Sequence, residues 1–196
     1  MLNSTIQFQK NNMTTFHLIY SDYKKMKNYG SNFIVILFFT QAFWAIFQYR
    51  IAHFFNEKIK IQPFRHIFML FMYSWQKMIE ILTGISIPAS VKIGHSFYIG
   101  HFGGIIINSD AVIGNDCNIS QGVTIGVSGL GDKRGVPIIG NNVYIGANCV
   151  VAGKIVIEDN VLIGACSLVN TDVKSNCTIL GVPAYIVSDR GSKGYI

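Results

Sequence analysis

Two hydrophobic rhythms divide the chain near residue 82. Before that point apolar residues arrive in clusters without a short repeat, as at 33–39 and 67–72, and the single glycine is Gly30. Clusters of Phe, Ile, Leu and Met with so few breakers predict helices. One helix is expected from about Asn32 to Glu57. A second is expected from near Pro63, whose fixed φ suits a first helical turn, to just before Gly84. Both are apolar on most faces, the pattern of helices packed in an oligomer. The strongest apolar run, Phe33 to Phe47, is shorter than the roughly 20 residues of a spanning helix and is interrupted by Thr40 and Gln41, which predicts a buried or membrane-lying helix. Residues 1 to 31, polar and rich in Asn and Lys, are expected to be loosely ordered.

From Ile87 the period becomes six. Aliphatic residues recur at Ile87, Ile93, Ile99, then Ile107, Ile113, Ile119, Ile125, then Ile139, Ile145, Val151, Ile157, Ile163 and Val169. Small or aliphatic residues follow four places later, as at Val91, Ala111, Cys117, Val123, Val143, Cys149, Val161 and Ser167, and glycine directly follows the aliphatic at Gly94, Gly100, Gly114, Gly126, Gly140, Gly146 and Gly164. Neither a helix nor a hairpin has that period. It predicts a triangular parallel β-helix in which each unit is a short strand plus a turn and three units close a coil. The aliphatic fills the prism, and glycine is expected to serve turns at φ > 0. The organisation expected is a helical region over 1–82, a β-helix domain over 83–187 and a tail over 188–196.

Two interruptions break the rhythm. The step from Ile99 to Ile107 is eight residues, so His101, Phe102, Gly103 and Gly104 must bulge outward. The step from Ile125 to Ile139 is fourteen and ejects a loop, Val127 to Pro137, that carries Lys133 and Arg134. Insertions in a solenoid cost no core contacts and are the places where function collects.

Composition narrows the class. Half of the residues are hydrophobic and only 13% are charged, which argues against disorder and for surfaces buried against partner subunits or lipid. The net charge of +6 lies entirely in residues 1–82, where nine basic residues face three acidic ones. Such a patch attracts anionic lipid or an anionic substrate, although a solvated helix face is the simpler account. No nucleic-acid partner is expected. Cys117, Cys149, Cys166 and Cys177 form no CxxC pair and no secretory signal follows Met1, so a cytoplasmic protein with reduced thiols is expected, with residues 33–82 offering peripheral contact to the inner face of the cytoplasmic membrane.

The repeat, together with Gly-His-Phe-Gly-Gly at 100–104, Asn-Ile-Ser-Gln-Gly-Val-Thr-Ile-Gly at 118–126, Ile-Gly-Ala at 145–147 and 163–165, and Gly-Val-Pro-Ala at 181–184, resembles the hexapeptide-repeat acyltransferases of the serine acetyltransferase-like branch. The resemblance covers nearly all of residues 84–187. It implies a left-handed β-helix, acetyl-CoA as co-substrate, no metal, and a homotrimer, with further pairing of trimers left open. It implies His101 as catalytic base. The CoA arm would lie along Gly126, Val127, Ser128, Ala147 and Ala165. By their charge alone, Lys133 and Arg134 suit CoA phosphates or an acidic sugar, and a solvated loop tip is an equal account. Acceptor contacts would come from Ser86, Tyr98, Gly100, Phe102, Gly103 and Gly104, although packing onto a neighbouring subunit is the simpler account of Tyr98 and Phe102.

Several positions depart from the family pattern. The acidic residue that precedes the catalytic histidine is here Gly100, the histidine's partner aspartate falls near Ser86, and the second histidine and adjacent arginine fall at Val136 and Gly135. With Arg-Gly-Val-Pro closing the loop at 134–137, the chain looks like the O-acetyltransferases of surface-polysaccharide clusters, whose acceptors are often lipid-linked. A sugar hydroxyl is therefore the expected acceptor, with L-serine as the alternative.

The chemistry asks little of the chain. A neutral imidazole can take the hydroxyl proton and return one to sulfur, and backbone N–H groups of Gly103 or Gly104 can meet the developing oxyanion. No cysteine is well placed as a nucleophile, so direct transfer in a ternary complex is expected. His95 sits in a regular repeat and reads as a structural residue, with a secondary acceptor contact as the alternative. A zinc-dependent hydratase on the same solenoid would need three converging histidines, and the repeat domain has two. A non-catalytic assembly module is the other rival.

Overall fold

The computed structural model describes residues 13–59 and 64–196. Its helical half holds α1 (Thr15–Asn28), α2 (Phe33–Phe39), α3 (Gln41–Lys58) and α4 (Phe64–Thr83). Two expectations change here. The segment read as loosely ordered contains α1, capped by the Thr14 hydroxyl, which accepts from His17 N–H; residues 1–12 lie outside the described residues. The single helix expected from Asn32 to Glu57 is two helices bent by 75° at Thr40. The carbonyls freed by the bend find donors, since Thr40 Oγ1 donates to Val35 O at 3.0 Å and Trp44 Nε1 to Leu37 O at 2.8 Å. Helix α4 begins at Phe64 and ends one residue before Gly84, as expected, while Pro63 is outside the described residues. No single described helix is long and apolar enough to cross a membrane.

From Ile85 the chain winds as a parallel β-helix with three faces. The first face stacks strands Ile85–Ser86, Ile105–Ile107, Thr124–Gly126, Val150–Ala152 and Leu168–Val169. The second stacks Lys92–Ile93, Val112–Ile113, Ile138–Ile139 and Val156–Ile157. The third stacks Tyr98–Ile99, Asn118–Ile119, Tyr144–Ile145, Leu162–Ile163 and Thr178–Gly181, closed by the antiparallel strand Ala184–Ser188. Register aligns the inward aliphatics, with Ile107 on Ile125 and Ile125 on Val151. Every residue of the six-period aliphatic series is buried.

The glycines do a different job from the one expected. Gly94, Gly114, Gly140 and Gly146 do not have positive φ; a Cβ on any of them would strike the backbone of the next coil. The left-handed turns fall on Ser96, Asp116, Asn142, Asn148, Asn160, Cys166 and Asn176, and on other glycines, among them Gly84, Gly104 and Gly122. Asn and Asp tolerate that conformation best among residues with a side chain. Stacked on one edge, Asn142 Nδ2 donates to Asn160 Oδ1 and Asn160 Nδ2 to Asn176 Oδ1, each at 3.1 Å.

A parallel solenoid leaves carbonyls unpaired at its open end, and here α3 covers them. Tyr49 Oη donates to Val91 O at 2.8 Å, Arg50 Nη1 to Ile93 O at 2.8 Å and Nη2 to Gly94 O at 2.6 Å, while His53 Nδ1 lies 2.8 Å from Ala89 O. Arg50 also forks onto Asp22 of α1 at 2.8 and 3.1 Å, and Asp22 Oδ1 accepts from Phe97 N–H at 2.8 Å. Both side chains are buried. Burial works against the Arg50 charge, but the Asp22 carboxylate outweighs it and holds the guanidinium pKa above its ordinary value.

The joint between helix and solenoid is also polar. Glu80 accepts from Gln76 Nε2 at 2.8 Å, Lys77 Nζ at 2.6 Å and Ser86 Oγ at 2.7 Å. Partial burial pushes its carboxyl upward, yet those three donors outweigh it and the pKa is depressed.

Two stability predictions follow from these contacts. Asp22→Leu leaves a buried guanidinium without its counter-ion and should cost about 3–5 kcal/mol, read as a lower urea midpoint. Adding Arg50→Met to that variant should recover part of the loss. A depressed Glu80 pKa contributes stability above its unfolded value of about 4.3, lost as pH falls through the folded value. Glu80→Gln should therefore be less stable than wild type at pH 7 and lose less on acidification, measured as urea midpoints from pH 7 to pH 3.

Candidate active site

The bulge at 100–104 lies on the edge where the third face turns into the first. Gly103 and Gly104 adopt φ of 99° and 67°, beyond the reach of most side chains. They are wedged between coils: a Cβ on Gly84 would lie 3.0 Å from Gly103 Cα, and one on Gly104 would lie 3.3 Å from Gly122 Cα. Gly103 O accepts from Gly122 N–H and Gly84 O from Ile105 N–H, both at 3.0 Å. With its glycines pinned, the bulge can only push its tip outward, and His101 and Phe102 are exposed there. The N–H groups of Gly103 and Gly104 donate to no acceptor among the described residues.

The same edge continues upward as a file of small residues. Asn148 N–H donates to Gln121 O at 2.9 Å and Cys166 N–H to Ala147 O at 2.8 Å, which stacks these corners above His101. Ala147 is half-buried, and Ala165 and Cys166 are exposed. The result is a narrow shelf of small residues beside the coil.

Gly126, Val127 and Ser128 are elsewhere. They lie at the far end of the first face, about 13 Å along an extended strand from Gly122 at the usual rise. The ejected loop begins there. Ser128 and Gly135 exchange backbone hydrogen bonds at 3.1 Å, Gly131–Lys133 form a 3₁₀ turn, and Lys154 Nζ donates to Asp132 O at 3.2 Å. Lys133 and Arg134 are exposed on the loop. One chain thus brings Ala147 and Ala165 to the His101 edge, but not Gly126, Val127, Ser128, Lys133 or Arg134.

Among the candidate acceptor residues, Ser86 pairs in register with Ile106 on the first face, and its hydroxyl is spent on Glu80. Tyr98 does not stand free beside His101. Its ring stacks on Tyr29 with centroids 4.3 Å apart, and burial raises its phenol pKa. Gly100 is half-buried with open space around it, the nearest atom to a Cβ being Tyr98 Cε1 at 3.6 Å. Phe102, at 54% exposure, has no ring partner among the described residues. His95 stands on a different edge, between the second and third faces, beside Ser96 and Asp116. No group of three His, Cys, Asp or Glu among the described residues could hold a metal.

The cysteines differ sharply. Cys117 and Cys149 are buried, and burial pushes the Cys117 thiol up to about 12. Cys166 is exposed. Sequence reasoning missed two features of the surroundings. Glu80 is hidden because a carboxylate six residues before Ser86 follows no repeat, and α1, with Lys25 and Tyr29, is hidden because its polar composition masks the two residues it buries, Asp22 and Met26.

With this geometry in hand, the chain's likeness to known proteins becomes interpretable. A family model of bacterial transferase hexapeptide repeats matches residues 137–171. Serine acetyltransferase of Synechococcus elongatus is 33% identical over 161 residues, 82% of this chain and 62% of that protein. Serine acetyltransferase of Staphylococcus aureus is 43% identical over 114 residues, 57% of this chain and 53% of that protein. The chain therefore spans under two thirds of the length of these curated relatives. Among solved structures, serine acetyltransferase of Brucella abortus superposes with a TM-score of 0.78 at 26% identity, over 90% of this chain and 70% of its own. That of Neisseria gonorrhoeae does so with 0.77 at 30% identity, over 91% of this chain and 68% of its own.

Residues 84–196 are fewer than three fifths of the chain, so matches over 90% take in the helices as well. This corrects the expected likeness to surface-polysaccharide acetyltransferases and its saccharide acceptor. The helical half, which had linked the chain to lipid-borne sugars, is part of an architecture shared with serine acetyltransferases, and membrane contact loses its support. With left-handed coils and a helical half in common with such relatives, the chain belongs to the serine acetyltransferase family of hexapeptide-repeat transferases.

Proposed function

We propose that this protein transfers the acetyl group of acetyl-CoA to the hydroxyl of L-serine, with His101 as general base. The observation that carries the reading is His101 itself, thrust outward by pinned glycines at the foot of a small-residue shelf, in a chain whose likeness to serine acetyltransferases runs through both halves. One related structure is of a serine acetyltransferase in complex with serine and another of one in complex with CoA.

The chemistry follows from the placement. The His101 imidazole takes the hydroxyl proton as the serine oxygen attacks the thioester carbon. Charge building on the carbonyl oxygen is met by the free N–H groups of Gly103 and Gly104. The C–S bond then breaks, and the imidazolium returns its proton to the leaving thiolate, which leaves O-acetylserine and CoA. The pantetheine arm runs up the shelf past Ala147 and Ala165. The open space at Gly100 receives part of the amino acid. Gly126, Val127, Ser128, Lys133 and Arg134 serve a CoA held between chains, the loop of one subunit in a trimer approaching the His101 edge of the next.

Two measurements test this. Thiol release from acetyl-CoA should depend on L-serine, and His101→Ala should lower kcat by roughly 10²–10⁴-fold while CoA still binds. Turnover that ignores serine, or full activity in the variant, would overturn the proposal. The shelf has its own probe. Saturating CoA should slow alkylation of Cys166 in the native protein, followed by mass spectrometry, while Cys117 and Cys149 stay unmodified with or without it. Unchanged Cys166 labelling would remove CoA from that edge.

A further inference from the structure

A second site lies on another edge of the solenoid, where α1 and the last residues of the chain lean over the corner between the second and third faces. They border an open cleft of about 700 Å³. Its charged and protonatable walls are His17, Lys24 and Lys25 from α1 and His95 and Asp116 from the first two coils. Two lysines and two histidines thus face one side-chain carboxylate, with the phenols of Tyr20, Tyr29 and Tyr195 and the residue Ile196 beside them. Asp22, the other acid nearby, is committed to Arg50 and Phe97 N–H.

Lys25 makes this more than a basic surface. Its side chain is 10% exposed, and its Nζ is shut off from solvent with no hydrogen-bond partner among the described residues. Asp116 Oδ1 lies 3.7 Å away, close enough to attract the charge and too far to accept a proton. The second Asp116 oxygen lies 3.8 Å from His95 Nδ1, and the carboxylate is itself 38% exposed. An ammonium withdrawn from water with its donors unspent is costly. Burial accordingly pulls the Lys25 pKa below its ordinary value, against the attraction of Asp116. An oxygen-rich anion supplies what the amine lacks, and His95 and Lys24 stand ready around it.

We propose that this cleft is a binding site for a compact oxyanion of the phosphate or carboxylate class, with Lys25 as its central donor. The site is separated from His101 by the whole third face and does not depend on acetyl transfer. Asp116 acts as a built-in competitor that the ligand must displace from Lys25.

The test is a titration of the full-length protein with inorganic phosphate and, separately, citrate, at ionic strength held constant with chloride, followed through the histidine ring signals by NMR. Saturable shifts of His95 with His101 unmoved are expected, and which anion saturates names the class. Lys25→Met should weaken binding at least tenfold, and Asp116→Asn should tighten it severalfold. His101→Ala should bind like wild type. Shifts no larger than chloride alone produces, or equal affinity in wild type and Lys25→Met, would overturn the proposal. Should Lys25→Met fail to fold, unchanged affinity in Asp116→Asn would do so.

Discussion

Coils that rise by only about 4.8 Å per turn leave room between them for hydrogen bonds and little else. A Cβ on Gly94, Gly114, Gly140 or Gly146 would already strike the next coil, and the prism interior is filled by buried Ile and Val. An extra residue therefore has one direction available, which is outward. The eight-residue step expels His101 and Phe102, and the fourteen-residue step expels the loop with Lys133 and Arg134. Stacking also leaves a problem at the first coil, whose carbonyls have no coil beneath them. Tyr49, Arg50 and His53 meet that need, and Asp22 follows Arg50 into the interior as its counter-ion. The helical half is in this sense a cap required by the solenoid. A buried ion pair is weak evidence of net stability, but here it fixes two helices against a defined pair of carbonyls, Ile93 and Gly94.

How far the sequence could be read depended on whether one residue or a distant partner decides the local structure. The solenoid was legible because each inward aliphatic is set by its own period, and the bulge because a step of eight cannot be absorbed inside a prism. The helix break at Thr40 was not legible, since it rests on a hydroxyl and an indole finding carbonyls that only the bend exposes. Helix α1 was masked by polarity that conceals a single buried acid, and the use of Asp22 becomes evident only when Arg50 is brought to it. The turn chemistry was half read: the glycines that follow the inward aliphatics provide clearance, while positive φ is carried by Asn, Asp, Ser96 and Cys166 and by other glycines such as Gly104 and Gly122. The acceptor was misread for a related reason. Missing residues at Gly100, Ser86 and Val136 were weighed alone, although the Ser86 hydroxyl donates a hydrogen bond to Glu80 and so borders a carboxylate that no motif records.

The division of candidate residues between two edges constrains how the reaction can be assembled. Within one chain the base and the shelf share an edge, while Gly126, Val127, Ser128 and the basic loop stand a full strand away across the first face. Under the proposed mechanism, Lys133 and Arg134 of one copy of the chain serve a CoA that lies along Ala147 and Ala165 of another. The loop's internal bracing supports that role. Ser128 and Gly135 clamp its base, and Lys154 holds its 3₁₀ turn from the side, so its tip is presented outward instead of folding onto its own first face. Stacking confines each outward excursion to its own edge, so the base at His101 and the loop with Lys133 and Arg134 stand on different edges of one prism.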